Sequence, residues 1–273
     1  MINFLLFNVF IWGFLFWISF TSWTMLGDKQ WIGLANYWDI FADAVFRISL
    51  FNTISYVVMF VLPLAFLSLM LGVLVDQKLP GVFFFRACYY LPVVTTVAII
   101  AMIWIFLVKP TPDGIFNYIL GWVGIPPQRF LLNTWLALPT LAALAIWHAI
   151  GYYMLLWIAG LTAIPTDLYE AARMDGASRL QLFRFVTVPM LRPTTTFILI
   201  IATIRSFQMF GPTYLMTGGG PSYSTMTLVY HLWVQAFEFY RMGRSAAISV
   251  ILFVIILGIA LVQRRVMGWD ELY

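Results

Sequence analysis

Six stretches of this 273-residue chain are apolar and nearly free of charge, and each is long enough to cross a bilayer. About 30 Å of hydrocarbon requires about 20 mostly apolar residues in a helix. Residues 1–27 carry no charge, with an apolar part over about 4–20. The second interval lies between Arg47 and Asp76, giving a span at about 50–75. The third lies between Arg86 and Lys109, at 87–107, and the fourth covers 136–160. The fifth follows Arg192, at 193–210, and is interrupted by Arg205. The last, 245–263, is framed by Arg244 and the pair Arg264–Arg265. The pattern predicts an all-α integral membrane protein, a bundle of six transmembrane helices forming one domain over 1–273. Only 10% of residues are charged, against about 25% in a soluble domain.

Lys and Arg near the span ends set the orientation. Lys78, Arg86, Arg173, Arg179, Arg184, Arg192, Arg264 and Arg265 fall in the short segments of one side, which predicts both termini in the cytoplasm. Trp12, Trp17, Trp23, Trp104, Trp135 and Trp157 lie in or near span ends, where interfacial anchors sit. Residues 1–20 lack the basic n-region and small-residue cleavage site of a signal peptide, so they are read as a span. In the external segment 28–47, Trp31, Leu34, Tyr37, Trp38 and Phe41 are spaced as an amphipathic stretch. The segment 110–135 is punctuated by Pro and Gly.

Several function classes fall away. The net charge of +4 is spread along the chain with no Lys/Arg run, so a nucleic acid has no footprint. One cysteine, Cys88, and two histidines make neither a disulfide nor a usual zinc site. The three lysines precede Gln30, Leu79 and Pro110, so none ends a phosphate-cradling glycine loop. No metalloprotease or serine-hydrolase motif occurs, and no enzymatic activity is expected on this chain. Gly218–Gly220 reads as a flexible external turn, with a contact to an external binding protein as the alternative.

The most polar long stretch is 162–192, between the fourth and fifth spans on the predicted cytoplasmic side. Asp167 and Glu170 have the spacing of a capping box, and Ser178 and Gln181 form a second. Leu168, Ala171 and Ala172 share a face of the first short helix; Leu180, Phe183 and Thr187 line the second. Gly176 closes the first helix in a left-handed conformation, and Pro189 ends the second. The expectation is two short helices joined by a glycine elbow.

These residues carry a resemblance. Glu170-Ala171-Ala172, Gly176 and Val186 to Pro189 resemble the EAA loop of permease subunits in binding-protein-dependent ABC importers, with Val186 and Val188 where the family usually has Ile and Leu. The fuller string from Glu170 to Pro193 is closest to the carbohydrate-importer branch, and Tyr214 to Pro221 looks like the MalF/UgpA type. The resemblance extends to Phe20-Thr21-Ser22-Trp23, Gly33 to Tyr37, Asn52-Thr53, Leu79-Pro80-Gly81, Leu91-Pro92 and Ser206-Phe207-Gln208. The family's usual cytoplasmic N-terminal tail is missing, which points to truncation or a misplaced start. The resemblance implies the type I ABC importer (MalF-like) fold in a bacterial or archaeal cytoplasmic membrane. It implies four kinds of partner: a second, MalG-like permease, two ATPase subunits, an extracytoplasmic substrate-binding protein, and membrane lipid. ATP and Mg belong to the ATPases, with no cofactor on this chain. The loop 162–192 would be the coupling element that docks in an ATPase groove, with Glu170, Ala171, Ala172, Asp175, Gly176 and Pro189 as its characteristic residues. The implied function is ATP-driven uptake of a sugar or oligosaccharide, or alternatively of a glycerophosphodiester or polyol phosphate.

Polar residues at membrane depth normally face a bundle interior or an aqueous path. Arg205 and Gln208 lie 13 and 16 residues beyond Arg192, and with Phe207 they offer donors beside an aromatic face. His148 and Tyr152 share a face of the fourth span, and Asn52 and Tyr56 a face of the second. For His148 and Asn52 an interhelical hydrogen bond is the favoured role over a solute contact. For Arg205 a place on the solute path is expected.

Overall fold

The computed structural model describes residues 9–25, 27–75 and 81–266. The beginning of the first predicted span (4–8), the segment 76–80 with Lys78, and residues 267–273 lie outside it. The elements are α1 (Phe10–Ser19), α2 (Ala35–Ala42), α3 (Ala44–Val75), α4 (Val82–Val94), α5 (Val97–Leu107), α6 (Ile115–Trp122) and α7 (Ala137–Thr162). Then come α8 (Thr166–Met174), α9 (Arg179–Met190), α10 (Arg192–Phe207), α11 (Leu228–Trp233) and α12 (Met242–Val266).

Among the described residues, three helices are long and apolar enough to cross a membrane unbroken: α3, α7 and α12. Two predicted spans are built differently. The interval 87–107 is two helices, α4 and α5, bent by 100°. Pro92 and the β-branched run from Val93 to Val97 explain the break, because proline removes a donor and β-branched side chains are poor helix formers. Thr95 and Thr96 are extended at the bend. The interval 193–210 ends as a helix at Phe207, and α10 is bent by 64° from α9. Helix α3 begins earlier than expected, at Ala44. Asp43 caps it by accepting from Val45 N–H (2.8 Å), and Arg47 donates to the carbonyls of Phe41 and Ala42 (3.1 Å each).

The core lies where α3, α7 and α10 meet: Tyr56, Phe60, Leu64, Leu141, Tyr153, Trp157, Ile198 and Ala202. Trp157 is no interfacial anchor. Its indole N–H donates to the buried Ser68 Oγ at 3.0 Å, joining α7 to α3. Trp104 is also buried, whereas Trp12, Trp17 and Trp135 are exposed as expected. Gly151 lets α4 reach α7, since a Cβ there would collide with the Tyr89 carbonyl oxygen. A second cluster packs Ile40, Phe46, Phe207, Leu228, Ala247 and Ile248 at the end of the bundle where α3 and α12 begin.

The connecting segments at that end are ordered by single polar side chains. Asn36 donates to the carbonyls of Ser19 and Thr21, so α2 turns Ile40 inward while Trp31, Trp38 and Phe41 stay exposed. Buried Asn117 donates to the carbonyls of Lys109, Thr111 and Gln128 and accepts from Gln128 N–H. Beside it Lys109 pairs with Asp113 at 2.8 Å and, with Thr111, holds that carboxyl down at about 2. The glycine run is not a loose turn: Gly219 is buried, Thr225 N–H donates to Gly219 O and Thr225 Oγ1 to Gly220 O.

Candidate functional site: the glycine elbow and the Arg205 face

Residues 162–192 form the expected pair of short helices, projecting between α7 and α10. Helix α8 begins one residue earlier than its predicted cap. Pro165, with extended backbone, stands at the N-cap, and Asp167 lies inside the first turn, where a carboxylate favours the helix dipole. The Asp167–Glu170 capping box is therefore absent. The C-terminus closes as predicted. Gly176 takes φ +81°, its N–H donates to Arg173 O, and Ala177 N–H donates to Ala172 O, each at 3.0 Å. This pairing satisfies two of the carbonyls a helix end leaves open.

The second capping box is present: Ser178 N–H donates to Gln181 Oε1 (2.7 Å) and Gln181 N–H to Ser178 Oγ (3.4 Å). Beyond it the predicted face is wrong at Leu180, which is 75% exposed; Leu182 and Thr187 are the buried positions. Pro189 does not end α9. A π turn over Phe183–Thr187 precedes it, and α9 runs on to Met190 before the bend at Leu191. The widened turn gives room for a ring that would otherwise press on the carbonyl of i−4. The Tyr169 and Thr187 hydroxyls, 2.9 Å apart, tie α8 to that turn.

The elbow offers an exposed surface flanked by small open clefts. Glu170, Ala171 and Asp175 are exposed, Ala172 is half-buried and Met174 is 89% exposed. Glu170 makes no ion pair among the described residues. It is thus a free carboxylate on a helix whose neighbours are small, which permits close approach of another helix.

The in-membrane candidates separate into two groups. Arg205 lies in the last turn of α10, not midway through a span, and its cation is favoured by the negative end of that helix. Its guanidinium lies 4.9 Å from the centroid of the Tyr152 ring, and both it and Gln208 are exposed. The aromatic partner is therefore Tyr152 of α7 and not Phe207, which is buried in the second cluster. A cation over an aromatic face with an amide three residues away can bind hydroxyl-rich or anionic groups.

The other two candidates are occupied by the fold. His148 Nε2 lies 3.3 Å from the Thr95 carbonyl, the group freed at the α4–α5 bend. Asn52 is buried and donates to the carbonyls of Tyr223 (2.7 Å) and Met226 (3.1 Å). Tyr56, expected to share its face, is buried and stacks on Phe60. A cleft of about 710 Å³ beside the α4–α5 bend is lined by Leu67, Pro92, Thr95, Trp147 and other mainly apolar residues; neither Arg205 nor Tyr152 reaches it.

Two polar links escaped sequence reasoning. Arg244 of α12 pairs with the Asp43 carboxylate that caps α3, and Gln263 Nε2 donates to Thr203 Oγ1 of α10 at 2.9 Å. Both join residues far apart in the chain, and neither has a local pattern that announces it.

Comparison with known proteins agrees with this architecture. Residues 58–267 match the family described as "Binding-protein-dependent transport system inner membrane component". The probable ABC transporter permease protein YurN of Bacillus subtilis is 32% identical over 91% of this chain and 85% of its own length. The sn-glycerol-3-phosphate transport system permease protein UgpA of Agrobacterium fabrum is 36% identical over 87% of this chain and 81% of its own. The trehalose/maltose transport system permease protein MalF of Thermococcus litoralis is 34% identical, covering 92% and 85%. A chain of a bacterial ABC transporter that imports the acidic polysaccharide alginate has the same fold, with a TM-score of 0.83, 22% identity, and coverage of 98% of this chain and 91% of that one. The all-α, multi-pass bundle thus resembles the type I importer fold, and the chain belongs to the family of binding-protein-dependent transport system inner membrane components, the non-catalytic membrane permeases of ABC transporters.

Proposed function

We propose that this chain is one of two permeases in an ATP-driven importer of a sugar or oligosaccharide, and that residues 162–192 couple it to the ATPases. The observation that carries the coupling is the exposed elbow: α8 with free Glu170 and small Ala171, closed at Gly176 and tied to α9 through Tyr169 and Thr187. On this reading the chain crosses the membrane six times, with α1, α3, α4–α5, α7, α10 and α12, and both termini are cytoplasmic. Arg205, Gln208 and Tyr152 face the solute. Asp175 and Pro189 complete the coupling loop, and ATP with Mg is handled by the partner subunits.

The sugar assignment is supported by the trehalose/maltose permease among the relatives and by hydrogen-bonding groups beside the Tyr152 ring. A polyol phosphate is the second reading, favoured by the Arg205 cation and by the two UgpA relatives, 36% and 35% identical. The test is ATPase stimulation in the reconstituted transporter, with its binding protein loaded with a disaccharide or with glycerol 3-phosphate. Stimulation by the disaccharide alone supports the first reading; stimulation by the phosphate alone overturns it in favour of the second. Gly176→Pro and Glu170→Lys should abolish uptake while membrane insertion persists, and wild-type uptake in both would remove the coupling role.

A further inference from the structure

Two clefts of unlike charge flank the glycine elbow. One, of about 430 Å³, is lined by Tyr169, Arg173, Arg179, Leu182, Phe183 and Thr187. The other, of about 200 Å³, is lined by Ala172, Asp175, Gly176 and Gln181 with Phe185 and Val186. Arg173 from the end of α8 and Arg179 from the start of α9 thus face one opening. Among the described residues neither guanidinium makes an ion pair or a hydrogen bond. The acids of the elbow are placed elsewhere: Asp175 lines the other cleft, and Asp167 and Glu170 line neither. Two permanent cations are held around one opening by a Schellman turn and a capping box, without a counter-charge.

We propose that the Arg173–Arg179 cleft receives a carboxylate side chain of the ATPase subunit and thereby fixes the direction in which that subunit docks. The proposal rests on the coupling role assigned above and specifies the partner's chemistry. A guanidinium fork binds a carboxylate through paired N–H donors, and two forks around one opening define both position and orientation. The Tyr169–Thr187 hydroxyl pair on the cleft wall keeps the spacing of α8 and α9 fixed. A lipid phosphate is the less suitable occupant. Exposed Met174 and Leu180, each next in sequence to one of the arginines, supply apolar contact of the kind found at protein interfaces. The neighbouring Asp175 cleft then discriminates against a partner turned the other way, since its acid would meet the partner's acid.

The test uses the full chain with its cognate permease in neutral phosphatidylcholine nanodiscs, and the cognate ATPase as the probe. Association is followed by interferometry from low to high salt. The double variant R173E/R179E should slow association by about tenfold or more at low salt and flatten its salt dependence. The R173K/R179K variant should retain most of the rate, which separates lost charge from lost fold. Reversing one acid of the ATPase groove to lysine should restore binding to R173E/R179E. Wild-type association of R173E/R179E overturns the proposal, as does a defect seen only in nanodiscs containing an anionic lipid. An Ala171→Trp variant keeps the two readings apart. If it blocks docking while R173E/R179E does not, the cleft assignment fails alone; if it docks normally, the coupling role itself fails.

Discussion

The guanidinium of Arg205 and the ring of Tyr152 face each other across the α10–α7 junction at 4.9 Å, an exposed cation of one bundle helix over an aromatic face of another. A cation so placed is stabilised by the ring and by the end of α10, yet it keeps its donors available. Arg205→Ala should raise the apparent KM for uptake by about ten- to a hundredfold, since a hydrogen bond to a charged group contributes roughly 1.5–3 kcal/mol, with the level of assembled transporter unchanged. Arg205→Lys should recover a phosphate-bearing solute better than a neutral sugar. If Arg205→Ala lowers only assembly, the residue is structural.

The buried Trp157–Ser68 hydrogen bond makes a stability prediction. Ser68→Ala leaves an indole N–H without an acceptor in the core and should cost about 1–3 kcal/mol. Trp157→Phe loses both the bond and ring volume. Because both changes remove the same bond, the double variant should cost less than the two single losses together, by about 1 kcal/mol. Thermal unfolding in detergent reads all three.

Gly151 tests the contact between α7 and α4. A methyl group there meets backbone, so Gly151→Ala must push α4 away and should cost about 1–3 kcal/mol by overpacking. Gly121→Ala, where nothing lies within 4 Å, is the matched control and should be neutral or slightly stabilising. Equal melting temperatures for both variants would contradict the close packing.

His231 makes the fold sensitive to acid. Burial pushes its pKa below the usual value, Asp43 opposes that shift, and Arg244 adds to it. The unfolded chain, titrating near 6.5, takes up the proton first. The contribution is therefore complete above about pH 6.5 and is lost as pH falls below it. Thermal midpoints measured from pH 7.5 to 5.5 should drop more steeply for the wild type than for His231→Phe.

The bundle was legible because charge-free intervals have one physical cause, and their ends were placed to within a few residues at α7 and α12. The elbow was legible for a related reason: Gly176 and the Ser178–Gln181 pair act through neighbours three or four residues away. What escaped was whatever depends on distant partners. The 100° bend was hidden because Pro92 and the β-branched run lie inside an apolar interval that reads as one span. For His148 and Asn52 the interhelical role was legible but the partner was not: each answers a carbonyl on another element. Phe207 and Arg205 looked like neighbours on one surface, yet they are two residues apart on a helix, which puts them on different sides.

Asn52 and Thr53 bear on how motion would pass through the molecule. Asn52 grips the carbonyls of Tyr223 and Met226, while the Thr53 hydroxyl accepts the Leu228 N–H at 2.9 Å. The segment from Gly218 to Leu228 is thereby bolted to α3 at three points within one turn. A tilt of that helix would carry the stretch that follows the glycine run with it as a single lever.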